Sequence, residues 1–180
     1  MNISRDHYDA GEIVLHWMIA VLVLVVGAIA LLWGSFRPYK PMMLNLHALL
    51  GLLMYALILL RSIRRLMRPA PRPADGVSAL SVALASAVHS LLYFFQIAIP
   101  VIGLVSFIWH ARTFDLGFLQ FTPVVSAQKA IYQPTQNLHV WLSYAFMALI
   151  SLHILAALWH QFVKRDGVLS RMLPALRAQH

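Results

Sequence analysis

The sequence contains no cysteine, and only 11% of its 180 residues are charged. Without cysteine the chain cannot form disulfides, thiolate metal sites, iron–sulfur clusters or thioether-linked haem. Acidic residues are especially scarce, with six Asp and Glu against 14 Lys and Arg. Any metal centre must therefore use histidine, of which the chain has nine.

Apolar residues are abundant instead. They make up 61% of the chain, against roughly 45–50% in soluble domains. The mean hydropathy is +0.73, and four apolar segments each approach or exceed the ~20 residues that cross a bilayer. These segments lie at 13–33, 43–60, 83–109 and 137–160. The sequence thus predicts a single all-α membrane domain, an up-down bundle of four transmembrane helices.

The basic residues predict how this bundle is oriented. They flank the apolar segments, so the net charge of +8 does not indicate nucleic-acid binding. Segment 61–80 begins with five arginines and three prolines, and we predict a cytoplasmic linker that is not helical. Because cytoplasmic loops are enriched in Lys and Arg, both termini should be cytoplasmic and loop 110–136 periplasmic. Ten basic residues then lie inside: Arg5, Arg61, Arg64, Arg65, Arg68, Arg72, Lys164, Arg165, Arg171 and Arg177.

Five histidines lie within the apolar segments, where a polar side chain is costly and indicates a functional site. In the fourth segment, His139 and His153 are ~21 Å apart along a helix and point within about 40° of the same direction. By the predicted topology, His47 enters the second helix level with His139. His16 lies level with His153, near the inner end of the first helix.

Two imidazoles from facing helices, with no cysteine or carboxylate at that depth, suit a six-coordinate b-type haem better than a zinc or di-iron site. We therefore predict two haems b, an outer one held by His47 and His139 and an inner one held by His16 and His153. Ligation by two histidines leaves iron no vacant position, which favours electron transfer over oxygen binding.

Other polar residues are candidates for contacts around these sites. His89 lies at the inner level of the third helix, where it could replace His16 as a ligand. We favour instead a contact with a haem propionate or a quinone, in which Arg61 and Arg64 could also take part. On the outer side, four basic residues predict an entrance for an anionic donor or quinone species: Arg37, Lys40, Arg112 and Lys129.

Several motifs together resemble the bacterial cytochrome b561 family and, more distantly, the cytochrome b subunits of hydrogenases and formate dehydrogenases. They are IVLHW, NLHALLG, LLRSIRR, AVHSLLYFFQIAIPVIGLV, NLHVW and SLHILAALWHQFVKRDGVLSRMLP, which cover most of the chain. The resemblance implies a multi-pass, di-haem cytochrome of the bacterial inner membrane that exchanges electrons with ubiquinone. It places His16, His47, His139 and His153 at the family's ligand positions, and His89 at a further family histidine.

The family includes a superoxide oxidase, so the resemblance also implies a periplasmic donor such as superoxide. An alternative is a haem-bearing membrane anchor, which passes electrons for a partner dehydrogenase. A transporter with a histidine proton relay would be expected to carry Asp or Glu deep in a segment, and the four segments have none there.

Overall fold

The computed structural model describes residues 8–68, 71, 77–115 and 117–173. It contains four long helices, α1 (Ala10–Leu32), α2 (Lys40–Met67), α3 (Ala79–Trp109) and α4 (Lys129–Trp159). All four are long and apolar enough to cross a membrane, as the sequence predicts. Three residues of the predicted charge count lie outside the described part of the chain: Arg5, Arg72 and Arg177.

The helices begin and end where their sequences provide suitable caps. The carboxylate of Asp9 accepts the Glu12 backbone N–H at the start of α1, at 2.9 Å, and Ser78 plays the same role for Ser81 at the start of α3, at 3.2 Å. A single 3₁₀ turn, Arg37–Tyr39, leads into α2. A π-helical turn, His160–Lys164, follows α4 and ends at Arg165 with a left-handed φ of 54°.

The second helix corrects the predicted linker. Helix α2 continues to Met67, so Arg61, Arg64 and Arg65 are helical and do not belong to a loop. Hydropathy falls at the first of these arginines, but arginine is a good helix former and is favourable at a helix C-terminus. The apolar segment therefore ends earlier than the helix that contains it.

The predicted periplasmic loop, 110–136, is also shorter in the structure. Helix α4 begins at Lys129 and includes Pro134, near which Thr135 donates its hydroxyl to the carbonyls of Ile131 and Tyr132. The remaining connection contains a two-stranded antiparallel hairpin that was not predicted, β1 (Phe114–Asp115) paired with β2 (Gln120–Phe121). Proline and polar residues concealed the start of α4 because they are typical of loops.

The helices pack mainly as two pairs, α1 with α2 and α3 with α4. We call the end with the α1–α2 and α3–α4 connections the outer end, and the opposite end the inner end, following the predicted topology. Between the two ends extends a core of buried apolar side chains from all four helices: Ile19, Val23, Met54, Ile58, Leu92, Ile99 and Phe146. Many apolar side chains elsewhere on the helices face outward, as expected for contact with lipid.

Candidate functional site

The predicted outer pair, His47 of α2 and His139 of α4, is brought together in the structure. The two ring centres are 6.1 Å apart and the ring planes are inclined by 80°. Both side chains are half-buried, and Trp33 lies beside His47 with a ring-centre distance of 5.6 Å. Two helices that are not consecutive in the chain thus place one imidazole each at the same level.

Both outer rings are anchored to a backbone carbonyl. The Nδ1 atom of His47 lies 3.2 Å from the carbonyl oxygen of Val26, and that of His139 lies 3.0 Å from the carbonyl oxygen of Ile99. A carbonyl only accepts hydrogen bonds, so each Nδ1 must carry the proton in these bonds. In the neutral imidazole, Nε2 then keeps a lone pair that is free to bind a metal.

At the inner end the structure brings together three histidines from three helices. The rings of His89 and His153 are 5.3 Å apart, so the ring contact of His153 is with His89 and not with the predicted partner, His16. The His16 ring is close enough to His89 and His153 to interact with both electrostatically, and it packs edge-on against Trp17. His16 and His153 are half-buried, whereas His89 is exposed.

The outer pair has the spacing that bis-histidine ligation requires. An imidazole nitrogen binds a first-row metal at about 2 Å, so two rings on opposite sides of one iron have centres about 6 Å apart. The observed 6.1 Å agrees with this value. Within the described ranges, no group of three His, Cys, Asp or Glu side chains could hold a metal ion.

The inner cluster contains a polar atom that lacks a partner. His16 Nδ1 is buried and makes no hydrogen bond to any described residue. A buried polar atom without a partner is costly and often marks the position of a bound group. The spacing of the outer pair therefore fits a haem with two histidine ligands, and the inner cluster contains three imidazoles.

Two arginines predicted to act at the inner end lie in different surroundings. The guanidinium of Arg61 lies over the Tyr93 ring, 5.6 Å from its centre, and interacts electrostatically with His16, His89 and His153. Arg64 instead donates to the Asp9 carboxylate at 2.9 and 3.1 Å, although its Nε atom is buried without a partner among the described residues. Of these two arginines, Arg61 is thus the one that interacts with the histidines, and Arg65 also interacts with His89.

Asp9 joins the inner ends of α1 and α2. In addition to Arg64, it accepts a hydrogen bond from Arg68 at 2.6 Å. The backbone N–H of Glu12, and then Arg68 and Arg64, lower the pKa of the Asp9 carboxyl below its ordinary value. Asp9 therefore acts both as the helix cap and as an ion-pair partner.

The C-terminal segment also lies at the inner end, where it makes contacts that the apolar pattern does not predict. The indole N–H of Trp17 donates to the carbonyl of Met172 at 2.8 Å. His160 forms a hydrogen bond with Asp166. The Trp17 bond thus joins the chain after α4 to α1, whereas the His160 bond lies within the C-terminal segment itself.

Three of the four predicted outer cations line a cavity of about 470 Å³. Arg37, Lys40 and Arg112 contribute to its walls, whereas Lys129 is not among the described lining residues. The guanidinium of Arg112 rests on His110, donating to Nδ1 at 3.3 Å. A neighbouring cavity is lined in part by Asp115, so the basic cavity has one acidic residue nearby.

Comparison with known proteins identifies the family. A family model for prokaryotic cytochrome b561 matches residues 7–175. The chain belongs to the prokaryotic cytochrome b561 family. It is thus a multi-pass bacterial membrane protein, a b-type cytochrome that binds haem b and functions in electron transfer.

Three named relatives span nearly the same length as this cytochrome. The probable superoxide oxidase CybB of Yersinia pestis is 29% identical over 171 residues, covering 94% of this chain and 97% of that protein. Cytochrome b561 homolog 1 of Escherichia coli is 25% identical, covering 94% of this chain and 98% of its own. Cytochrome b561 homolog 2 is also 25% identical, with coverages of 94% and 93%.

Proposed function

We propose that this cytochrome is an inner-membrane oxidoreductase that carries two haems b and transfers electrons from a periplasmic donor to ubiquinone. His47 and His139 would bind the outer haem, and His16 and His153 the inner one. The observation that carries this proposal is the outer pair, whose rings have the spacing for one iron and whose Nδ1 bonds leave Nε2 free. When bound, haem b supplies a reversible one-electron couple.

For the inner haem we favour His16 over His89 as the partner of His153. The four proposed ligands are half-buried, whereas His89 is exposed. An exposed ring beside a ligand is better suited to contact a bound quinone or a haem propionate. Arg61 would support either contact with its positive charge, and Arg64 would do so less because Asp9 engages it.

The buried apolar core has a distinct role in this proposal. Its residues Ile19 and Ile58 are 1% and 0% exposed. Such apolar side chains offer protons no groups to bind, so they would hinder protons from following electrons through the protein. The two clusters would then exchange only electrons across it.

For the donor we propose superoxide, which the printed name of the Yersinia pestis relative suggests. Two superoxide anions would each lose one electron and become O₂, and ubiquinone would take both electrons and two protons to become ubiquinol. The positive charges of Arg37, Lys40 and Arg112 around the outer cavity would attract such an anion. Lys129 would add to the positive potential from outside the cavity.

The proposal is tested by a haem count and by rapid mixing. Purified protein should contain two haems b per chain in a pyridine haemochrome assay, and a folded protein with one haem or none would contradict the di-haem assignment. Superoxide should reduce the oxidised protein on the millisecond timescale and support ubiquinol formation by the isolated chain. If only a partner dehydrogenase reduced it, the chain would instead be an anchor subunit.

A further inference from the structure

One glycine of α3 lies directly against the ring of a proposed ligand. A Cβ atom built at Gly103 would be 2.8 Å from both Cε1 and Nδ1 of His139. Side chains do not tolerate so short a contact, and the atoms approached belong to a ring that a hydrogen bond already holds. Any residue other than glycine at this position would therefore displace the ring.

The hydrogen bond of His139 explains why this contact is so close. Its acceptor is the carbonyl of Ile99, one helical turn before Gly103. Because Cα–Cβ bonds tilt toward the helix N-terminus, a side chain at 103 would project over the turn that contains this carbonyl. The ring thus occupies the space that a side chain would otherwise fill.

Other glycines of the spanning helices have different surroundings. A Cβ atom at Gly11 of α1 would lie 2.9 Å from Arg64 Nη2, but that atom is the far end of a flexible side chain. A Cβ atom at Gly27 of α1 would meet the Met147 sulfur at 3.7 Å, an ordinary contact, and one at Gly51 of α2 would meet nothing within 4 Å. Among the described glycines of these helices, Gly103 alone lies this close to a histidine ring.

We propose that Gly103 is a positioning residue for the outer haem: its missing side chain admits the His139 ring to α3 and so allows the bond to Ile99. That bond fixes the ring orientation and presents Nε2 as the lone-pair donor. A methyl group at 103 would move the ring and break the bond. The proposal rests on the proposed function insofar as His139 is assigned there as a ligand.

The first test compares Gly103→Ala with Gly27→Ala as a matched control in another spanning helix. Gly103→Ala should lose the outer haem, or shift its midpoint potential and the g-values of its ferric low-spin signal in electron paramagnetic resonance. The signal of the inner haem should stay unchanged. Gly27→Ala should keep both haems as in the parent protein. Two unaltered haem signals in Gly103→Ala would overturn the proposal.

The second test measures melting temperatures in a double-mutant cycle and remains informative if Gly103→Ala folds poorly. The His139→Ala background lacks the ring. There, Gly103→Ala should leave the melting temperature unchanged, or raise it slightly because alanine favours a helix. In the His47→Ala background the outer haem is also lost but the ring remains, so Gly103→Ala should still lower the melting temperature.

The pair of backgrounds separates a clash with the ring from any other cause. If Gly103→Ala still lowers the melting temperature when His139 is absent, the proposal is overturned, because the added methyl group must then clash with something other than the ring. If Gly103→Ala lowers the melting temperature in neither background, the proposal is also overturned, because the methyl group would then clash with the haem itself and not with the ring. The cycle gives its answer even if the parent protein binds no haem, an outcome that would contradict only the proposed function.

Discussion

The two histidine clusters of this bundle differ in how firmly their rings are held. At the outer end, two rings face each other and both are anchored by Nδ1 to backbone carbonyls, of Val26 and Ile99. At the inner end, three rings lie together, and His16 has a buried Nδ1 without a partner in the described part of the chain. The outer site is thus defined by its own protein contacts, whereas the inner site leaves a choice of ligand pair.

The clusters also differ in their charged surroundings. Arg61 interacts with all three inner histidines, whereas the outer cations line a cavity nearer the surface. A nearby positive charge favours the reduced state of a haem, and an Nδ1 bond to a carbonyl strengthens the ligand and favours the oxidised state. Both effects should give the inner haem the higher midpoint potential, so that electrons flow inward.

The largest expected effect tests whether the clusters are independent sites. His139→Ala should reduce the haem content from two per chain to one, because the outer iron loses a ligand that nothing nearby can replace. His110→Ala serves as the control, since this histidine packs on Tyr132 outside both clusters. A pyridine haemochrome assay with low-temperature spectra measures the result, and loss of both haems together would show that the sites are coupled.

Substitution of the inner histidines one at a time sharpens the comparison further. His16→Ala should remove the inner haem, whereas His89→Ala should retain both haems and impair ubiquinol formation. The physical reason is that His16 is the half-buried ring and His89 the exposed one. Haem content and quinone kinetics of both variants measure this, and the reverse pattern would assign the ligand to His89.

The predicted order of potentials depends on Arg61. Arg61→Gln should lower the midpoint potential of the inner haem by tens of millivolts, since 1 kcal/mol corresponds to about 43 mV for one electron. The midpoint potential of the outer haem should not change. A spectroscopic redox titration of both proteins measures the shift, and an outer haem that is the more positive of the two in the parent protein would contradict the inferred direction of flow.

The outer cavity predicts a smaller, salt-dependent effect on rate. Arg37→Gln with Arg112→Gln should slow reduction by superoxide by roughly 10-fold at low ionic strength, because steering by charge raises association rates by about 10–10³-fold. The difference should shrink as salt is added. Lys164→Gln at the inner end is the control, and equal slowing by this variant would argue against local steering.

The smallest effect concerns the ion pairs at the inner end. Asp9→Ala should cost about 1–2 kcal/mol of stability through loss of the cap and its arginine partners, while Asp9→Asn should keep the cap. Because folding lowers the pKa of Asp9, its electrostatic contribution is present above the ordinary carboxyl pKa and is lost as pH falls through the lowered value. Melting curves from pH 3 to 7 should show less acid destabilisation in Asp9→Asn than in the parent.

Hydropathy and residue spacing were sufficient for the main architecture. Four apolar segments predict the four spanning helices, and the positions of His47 and His139 along them predict a pair at one level. The helix ends were less predictable, because arginines at the end of α2 and Pro134 in α4 are compatible with either helix or loop. The residue composition near a membrane boundary does not predict where the helix ends beyond it.

The class of this protein can be read from its amino acids, because the length of an apolar run and the depth of a histidine follow from the rise of a helix and the thickness of a bilayer. Which ring faces which depends on the packing of the helices. The contact of His89 with His153, the pairing of Arg64 with Asp9, and the fit of the His139 ring against Gly103 depend on how helices distant in sequence rotate and approach each other. Side-chain packing between elements sets those rotations, and no spacing within a single helix encodes them.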